Sequence, residues 1–186
     1  MLESPPAPPH GPPHGPSRPS AWVRRFAPLV PAAGAVLDLA CGGGRHSWLF
    51  LAAGHPVTAI DLDITGLADL AGQDGLEAIA ADLEDGRPFP LAGRRFAGVV
   101  VTNYLHRQLL PALVDAVAPG GLLIYETFAR GNERFGRPSN PDFLLAPGEL
   151  LEALRGALRI LAYEDLVVEE PKPAAVQRIC ARRETG

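Results

Sequence analysis

The 186-residue sequence predicts a doubly wound α/β domain, with a mostly parallel seven-stranded sheet closed by an antiparallel C-terminal hairpin. Three observations predict it. AVLDLA (35–40), PVTAID (56–61), FAGVVVTN (96–103) and GLLIYET (121–127) are nearly continuous apolar runs, the pattern of strands covered on both faces. Segments with helical spacing separate them, which makes the strands parallel. The length suffices for one core and is short for two.

The elements follow in order. AWVRRFAPLV (21–30) has helical spacing and ends at Pro31. Strand 35–40 is followed by helix RHSWLFLAAG (45–54), stopped by glycine, then strand 56–61 and helix ITGLADLAG (64–72). Strand EAIAAD (77–82) leads through a turn-rich segment to strand 96–103, helix RQLLPALVDAVA (107–118) and strand 121–127. A polar loop rich in Gly, Pro and Asn (129–148) precedes helix ELLEALRGA (149–157) and strands LRILAYED (158–165) and AAVQRICARR (174–183), which form the hairpin. No internal repeat is present.

Composition narrows the function. A net charge of −4 offers no general attraction for phosphate backbones, so nucleic acid is not an expected partner. The longest apolar runs fall far short of the ~20 residues that span a membrane. The first twenty residues hold eight of the twenty prolines and read as a disordered tail, residues 1–20, before a domain over 21–186. Its HGPPHGP segment lacks a third fixed metal ligand, and no metal is expected. Two cysteines, Cys41 and Cys180, make no disulfide framework and fit a reducing cytoplasm. A single lysine among seventeen basic residues looks like the bias of a GC-rich bacterial genome.

VLDLACGGGRHS (36–47) carries the functional signal. In doubly wound sheets the first strand-to-helix turn approaches the ligand most closely. Glycines bring backbone near it without an intervening Cβ, and the N–H groups opening the next helix point at it. Two features disfavour a dinucleotide. Ser47 stands where the third glycine of G-x-G-x-x-G would, and Asp38 sets a negative charge beside the place of a pyrophosphate. S-adenosylmethionine (SAM) has no phosphate and carries a sulfonium cation, so a nearby carboxylate favours it.

DLACGGG (38–44) resembles the first motif of the class I SAM-dependent methyltransferases, and the strand order extends that resemblance over nearly the whole chain after the tail. The polar loop 129–148, together with the brevity of the chain, looks similar to the small bacterial members labelled tellurite-resistance-like, which are assigned small-molecule or oxyanion acceptors. The resemblance implies cofactor contacts from Asp38, Ala40, Cys41, Gly42 and Gly44, with Arg45 serving the methionine carboxylate. It implies an acid gripping the ribose diol, which is Asp61, 23 positions after Asp38, with Leu62 beside it; Asp63 suits the capping of ITGLADL better. It implies that Asp82, ending the third strand, takes the adenine amine while Leu83 packs the ring, with Glu84 and Asp85 as solvated turn acids. After the fourth strand it places Asn103 and Tyr104 near the methionine half and His106 on the substrate side. Tyr104 and His106 are the catalytic candidates; as alternatives Tyr104 completes the core and His106 starts a helix.

Methyl transfer is an in-line displacement whose catalysis rests largely on alignment and water exclusion, so no dedicated base is required. NPDF (140–143) is not the amine-accepting signature of nucleic-acid methyltransferases, because it follows the fifth strand and lacks the second proline. The long loop 129–148 reads as a lid or binding element, with Glu126, Arg130, Asn132, Glu133, Phe135 and Arg137 as candidates to line a small pocket; the alternative is a solvated loop with a few internal ion pairs. The leading expectation is methylation of a small molecule. Alternatives are an RNA or protein methyltransferase, for which Arg24/Arg25 and Arg94/Arg95 are the only basic hints, a catalytically silent SAM-binding module acting through the proline-rich tail, and, more distantly, an NAD dehydrogenase.

Overall fold

A computed structural model describes residues 18–186. Seven strands form one sheet: β1 (Val36–Leu39), β2 (Val57–Asp61), β3 (Leu76–Ala80), β4 (Phe96–Thr102), β5 (Val117–Phe128), β6 (Arg159–Val168) and β7 (Ala174–Arg182). Their spatial order is β3-β2-β1-β4-β5-β7-β6. The first five are parallel, and β7 runs antiparallel between β5 and β6. The doubly wound expectation and its C-terminal hairpin hold.

Each central strand buries both faces. Leu37 and Leu39 of β1 point into one core cluster with Val99, Val101, Leu123 and Tyr125, while Val36 joins Phe50, Val57, Val100 and Ile124 in the other. Among the described residues four α-helices flank the sheet: α1 (Ala21–Phe26), α2 (Arg45–Ala52), α3 (Leu110–Ala116) and α4 (Glu149–Leu154). Ser20 caps α1 by accepting from the amides of Trp22 and Val23, and the Trp22 indole donates to the Ile179 carbonyl of β7 at 3.2 Å.

Several expected boundaries move. The helix expected at 64–72 is a 3-10 turn over Ile64–Leu70, capped by Asp63, and the first turn of the helix expected at 107–118 is also 3-10. The third strand stops at Ala80, two residues before Asp82, because β3 is a half-exposed edge strand whose last pairing is with Asp61. Of the tail expected over 1–20, residues 1–17, including HGPPHGP, lie outside the described residues. Ser20, by contrast, is bonded into the domain.

The long loop is tied down at its base. An Ala129–Leu145 bridge returns it to the sheet, and buried Asn132 fastens it by donating to the Pro138 carbonyl and accepting from the Ala175 amide. No helix among the described residues is long and apolar enough to cross a membrane.

Candidate active site

The strand order reverses between β1 and β4, and a hollow of about 760 Å³ opens beyond their carboxyl ends. Two non-glycine residues there hold left-handed backbone, Ala40 (φ 53°) after β1 and Asn103 (φ 56°) after β4. Both line the hollow, as do Cys41, Gly42 and Gly43. A Cβ on Gly42 or Gly43 would meet nothing within 4 Å, so this backbone lies bare to a ligand. Gly44 is different. At φ +70° it opens α2, and a Cβ there would come within 2.5 Å of Leu67, so it serves close packing against the 64–70 turn and does not line the hollow.

Asp61 occupies the expected place. It lines the hollow beside exposed Leu62, one carboxylate oxygen accepting from the Gly42 amide at 2.8 Å and the other from the Asp63 amide at 3.2 Å. Each oxygen keeps a further lone pair for a ligand hydroxyl.

Asp38, expected to touch the cofactor, does not line the hollow. It lies under the glycine loop, 1% exposed, and one oxygen accepts from both the Ser47 amide (2.8 Å) and the Ser47 hydroxyl (2.6 Å). Strand alternation explains this, since residue 38 shares the face of Val36, beneath α2. Burial pushes its carboxyl up to about 7 against the lowering pull of Ser47. Asp38 therefore pins the loop to the helix.

His46, unremarked in the sequence, is 2% exposed. Its Nε2 accepts from the Ser20 amide at 3.1 Å and its Nδ1 stands 4.0 Å from Asp38. Burial holds the ring neutral, lowering its pKa to about 3. Its only sequence signal is adjacency to Arg45.

Arg45 lines the hollow, donates to the Thr102 hydroxyl at 3.4 Å and forms no ion pair among the described residues. It is free to meet a ligand carboxylate. Asp82 and Leu83 also line the hollow, although Asp82 spends one oxygen on the Glu84 amide at 2.8 Å. Glu84, expected to be a solvated turn acid, lines the hollow as well; no periodicity marks this, because it depends on where β3 ends.

Tyr104 reaches the hollow with a buried hydroxyl that has no hydrogen-bond partner. Burial, then Glu84, raise its pKa and keep it protonated. His106 does not line the hollow; it precedes the 3-10 turn at Arg107–Leu109. Nor do Glu126, Arg130, Asn132, Glu133, Phe135 or Arg137. Burial and the neighbouring acids push the Cys41 thiol up to about 12, which makes it inert as a nucleophile.

The hollow thus presents one unpaired guanidinium and three carboxylates, Asp61, Asp82 and Glu84. The acids repel a diphosphate and favour a cation, and the bare glycine backbone, an acid with lone pairs to spare and an arginine without an ion pair suit SAM.

No protein-family model matches the chain. Over 104 residues it is 36% identical to the malonyl-[acyl-carrier protein] O-methyltransferase of Pseudescherichia vulneris, and over 134 residues 31% identical to the tRNA U34 carboxymethyltransferase of Methylococcus capsulatus. These alignments cover 52% and 65% of this chain and 40% of each relative. The chain spans less than half the length of the curated relatives it matches. Among solved structures, TehB from Haemophilus influenzae superposes with a TM-score of 0.70 at 18% identity, over 88% of this chain and 61% of that one. The Burkholderia thailandensis 1,6-didemethyltoxoflavin-N1-methyltransferase, solved with 1,6-didemethyltoxoflavin and S-adenosylhomocysteine bound, superposes at 0.63 with 23% identity, over 88% and 79% of the two chains. Sheet order, switch-point hollow and neighbours agree, and the chain has the fold of the class I SAM-dependent methyltransferases.

Proposed function

We propose that this domain transfers a methyl group from SAM to a small molecule. The observation that carries the reading is the hollow itself, where Asp61 braces the glycine loop, Arg45 forms no ion pair among the described residues, and Asp61, Asp82 and Glu84 set negative charge against a phosphate. When bound, SAM supplies an electrophilic methyl on a sulfonium. Asp61 would accept from the ribose diol, Arg45 would bind the carboxylate, and Asp82 with Leu83 would hold the adenine. Asn103 and Tyr104 would flank the methionine half. Tyr104 stays protonated and is not a base at neutral pH. Alignment then supplies the larger share of catalysis.

The tRNA-modifying relative raises the RNA reading, and the arginines weigh against it. Arg94 is bound to Glu77 and Thr58, Arg95 to the carbonyls of Asp115 and Val117, and Arg25 to Glu164. These pairs build no basic face over the acid-lined hollow. Cys41 and Cys180, free and buried, suit a reducing compartment, and we place the protein in the cytoplasm.

The test is conversion of SAM to S-adenosylhomocysteine across small-molecule, RNA and protein acceptors, beside calorimetric SAM binding. Turnover on a small molecule is the expected result. Tight binding without turnover on any acceptor would favour a silent module, and absent SAM binding would refute the cofactor assignment.

A further inference from the structure

Ser20 joins α2, whose Arg45 lines the hollow, to β5, which pairs with the end of β4 that lines it. Its amide donates to His46 Nε2 at 3.1 Å, and its hydroxyl donates to Glu126 Oε1 at 2.8 Å while accepting from the Trp22 and Val23 amides. His46 follows Arg45 in the first turn of α2. Glu126, near the end of β5, accepts the Asn103 amide on its carbonyl at 2.9 Å and lies in register with Thr102, the residue that holds Arg45. Both ends of the Ser20 bridge therefore abut Arg45 and Asn103.

The bridge is buttressed. A neutral imidazole that accepts at Nε2 carries its proton on Nδ1, on the side of Asp38. The Glu126 carboxylate also meets Arg178 at 3.4 Å, and that guanidinium lies over the Trp22 ring at 4.9 Å. Among the described residues, no hydrogen bond of Ser20, His46 or the Glu126 side chain reaches Asp61, Asp82 or Glu84.

We propose that Ser20 is a positioning residue, which sets Arg45 and Asn103 for the amino-acid end of SAM; this rests on the cofactor reading above. Its support is selective. Loss of the bridge loosens the grip on the amino-acid end and leaves the adenosine end untouched.

The experiment compares calorimetric binding of S-adenosylhomocysteine with that of 5′-methylthioadenosine, which keeps the adenosine and thioether and lacks the amino-acid end. Ser20→Ala, which removes the Glu126 arm and keeps the backbone bond to His46, is expected to weaken S-adenosylhomocysteine by about three- to tenfold, the scale of one hydrogen bond, and to leave methylthioadenosine unchanged. Ser20→Thr, which keeps the hydroxyl, restores the wild-type ratio. In a Ser20→Ala/Arg45→Ala cycle the two losses are non-additive. Should Ser20→Ala fail to fold, Glu126→Ala removes the hydroxyl's partner and is expected to give the same split. Equal weakening of both ligands, no weakening of either, or additive losses would overturn the positioning role. Wild-type protein that binds neither ligand would instead refute the cofactor reading on which it stands.

Discussion

The two walls of the hollow are held in different ways. On the β1/β4 side, Ala40, Gly42 and Asn103 adopt left-handed backbone over a buried polar layer of Asp38, Ser47 and His46. On the β2/β3 side, Asp61 and Asp82 each accept from an amide two residues on, Asp61 also accepts from the Gly42 amide, and Leu62 stands 70% exposed. One wall is fixed by burial and the other by hydrogen bonds at the surface. Damage to the first should therefore cost folding and binding together, and damage to the second should cost binding alone.

The largest effect is expected at Asp38. Replacing it by alanine strands the Ser47 amide and hydroxyl in the interior, for a loss of about 2 to 4 kcal/mol in urea unfolding and of S-adenosylhomocysteine binding with it. Retained stability would erase the contrast between the walls. Asp61→Ala comes next. Calorimetry should show ligand affinity falling by about tenfold or more while the melting temperature stays within a few degrees of wild type. An unchanged affinity would remove the ribose role.

The smallest effect sharpens the comparison through pH. His46 has a folded pKa near 3 against 6.5 unfolded, so below 6.5 the unfolded chain binds the extra proton. The stability due to neutral His46 is present above pH 6.5 and is lost as pH falls toward 3. Asp38 has the opposite sign: raised to about 7 from 3.8, its contribution is present below 3.8 and lost as pH rises through 7. Across roughly pH 4 to 6.5 the two slopes oppose. His46→Gln keeps an acceptor for Ser20 and removes one slope. The melting temperature of this variant minus that of wild type should climb as pH is lowered from 6.5, as scanning fluorimetry would record; a flat difference would mean that His46 is not held neutral.

What the sequence discloses follows the same division. The seven strands and the hairpin are legible because long apolar runs mark strands buried on both faces, as in β1 and β4. Asp61 is legible because an apolar run ends on it. Asp38 misleads, since a motif names the residue and only the face it shares with Val36 gives its direction. Asp82 and Glu84 are harder, because β3 is an edge strand whose half-exposed pattern does not mark its end. Loop 129–148 has the length of a lid, yet its path is set by the Ala129–Leu145 bridge and by Asn132, contacts that length does not encode. His46 and Ser20 meet across 26 positions, beyond the reach of any local pattern.

The place of β7 carries a consequence for assembly. It lies between β5 and β6 although it is made after both, so β6 has no sheet neighbour until residues 174–182 are present. Until then β5 offers an unpaired edge of apolar residues, open to pairing with other chains. The last third of the sheet cannot complete its pairing before that segment is in place, and the Trp22 indole, whose acceptor is the Ile179 carbonyl, ties α1 to the same strand.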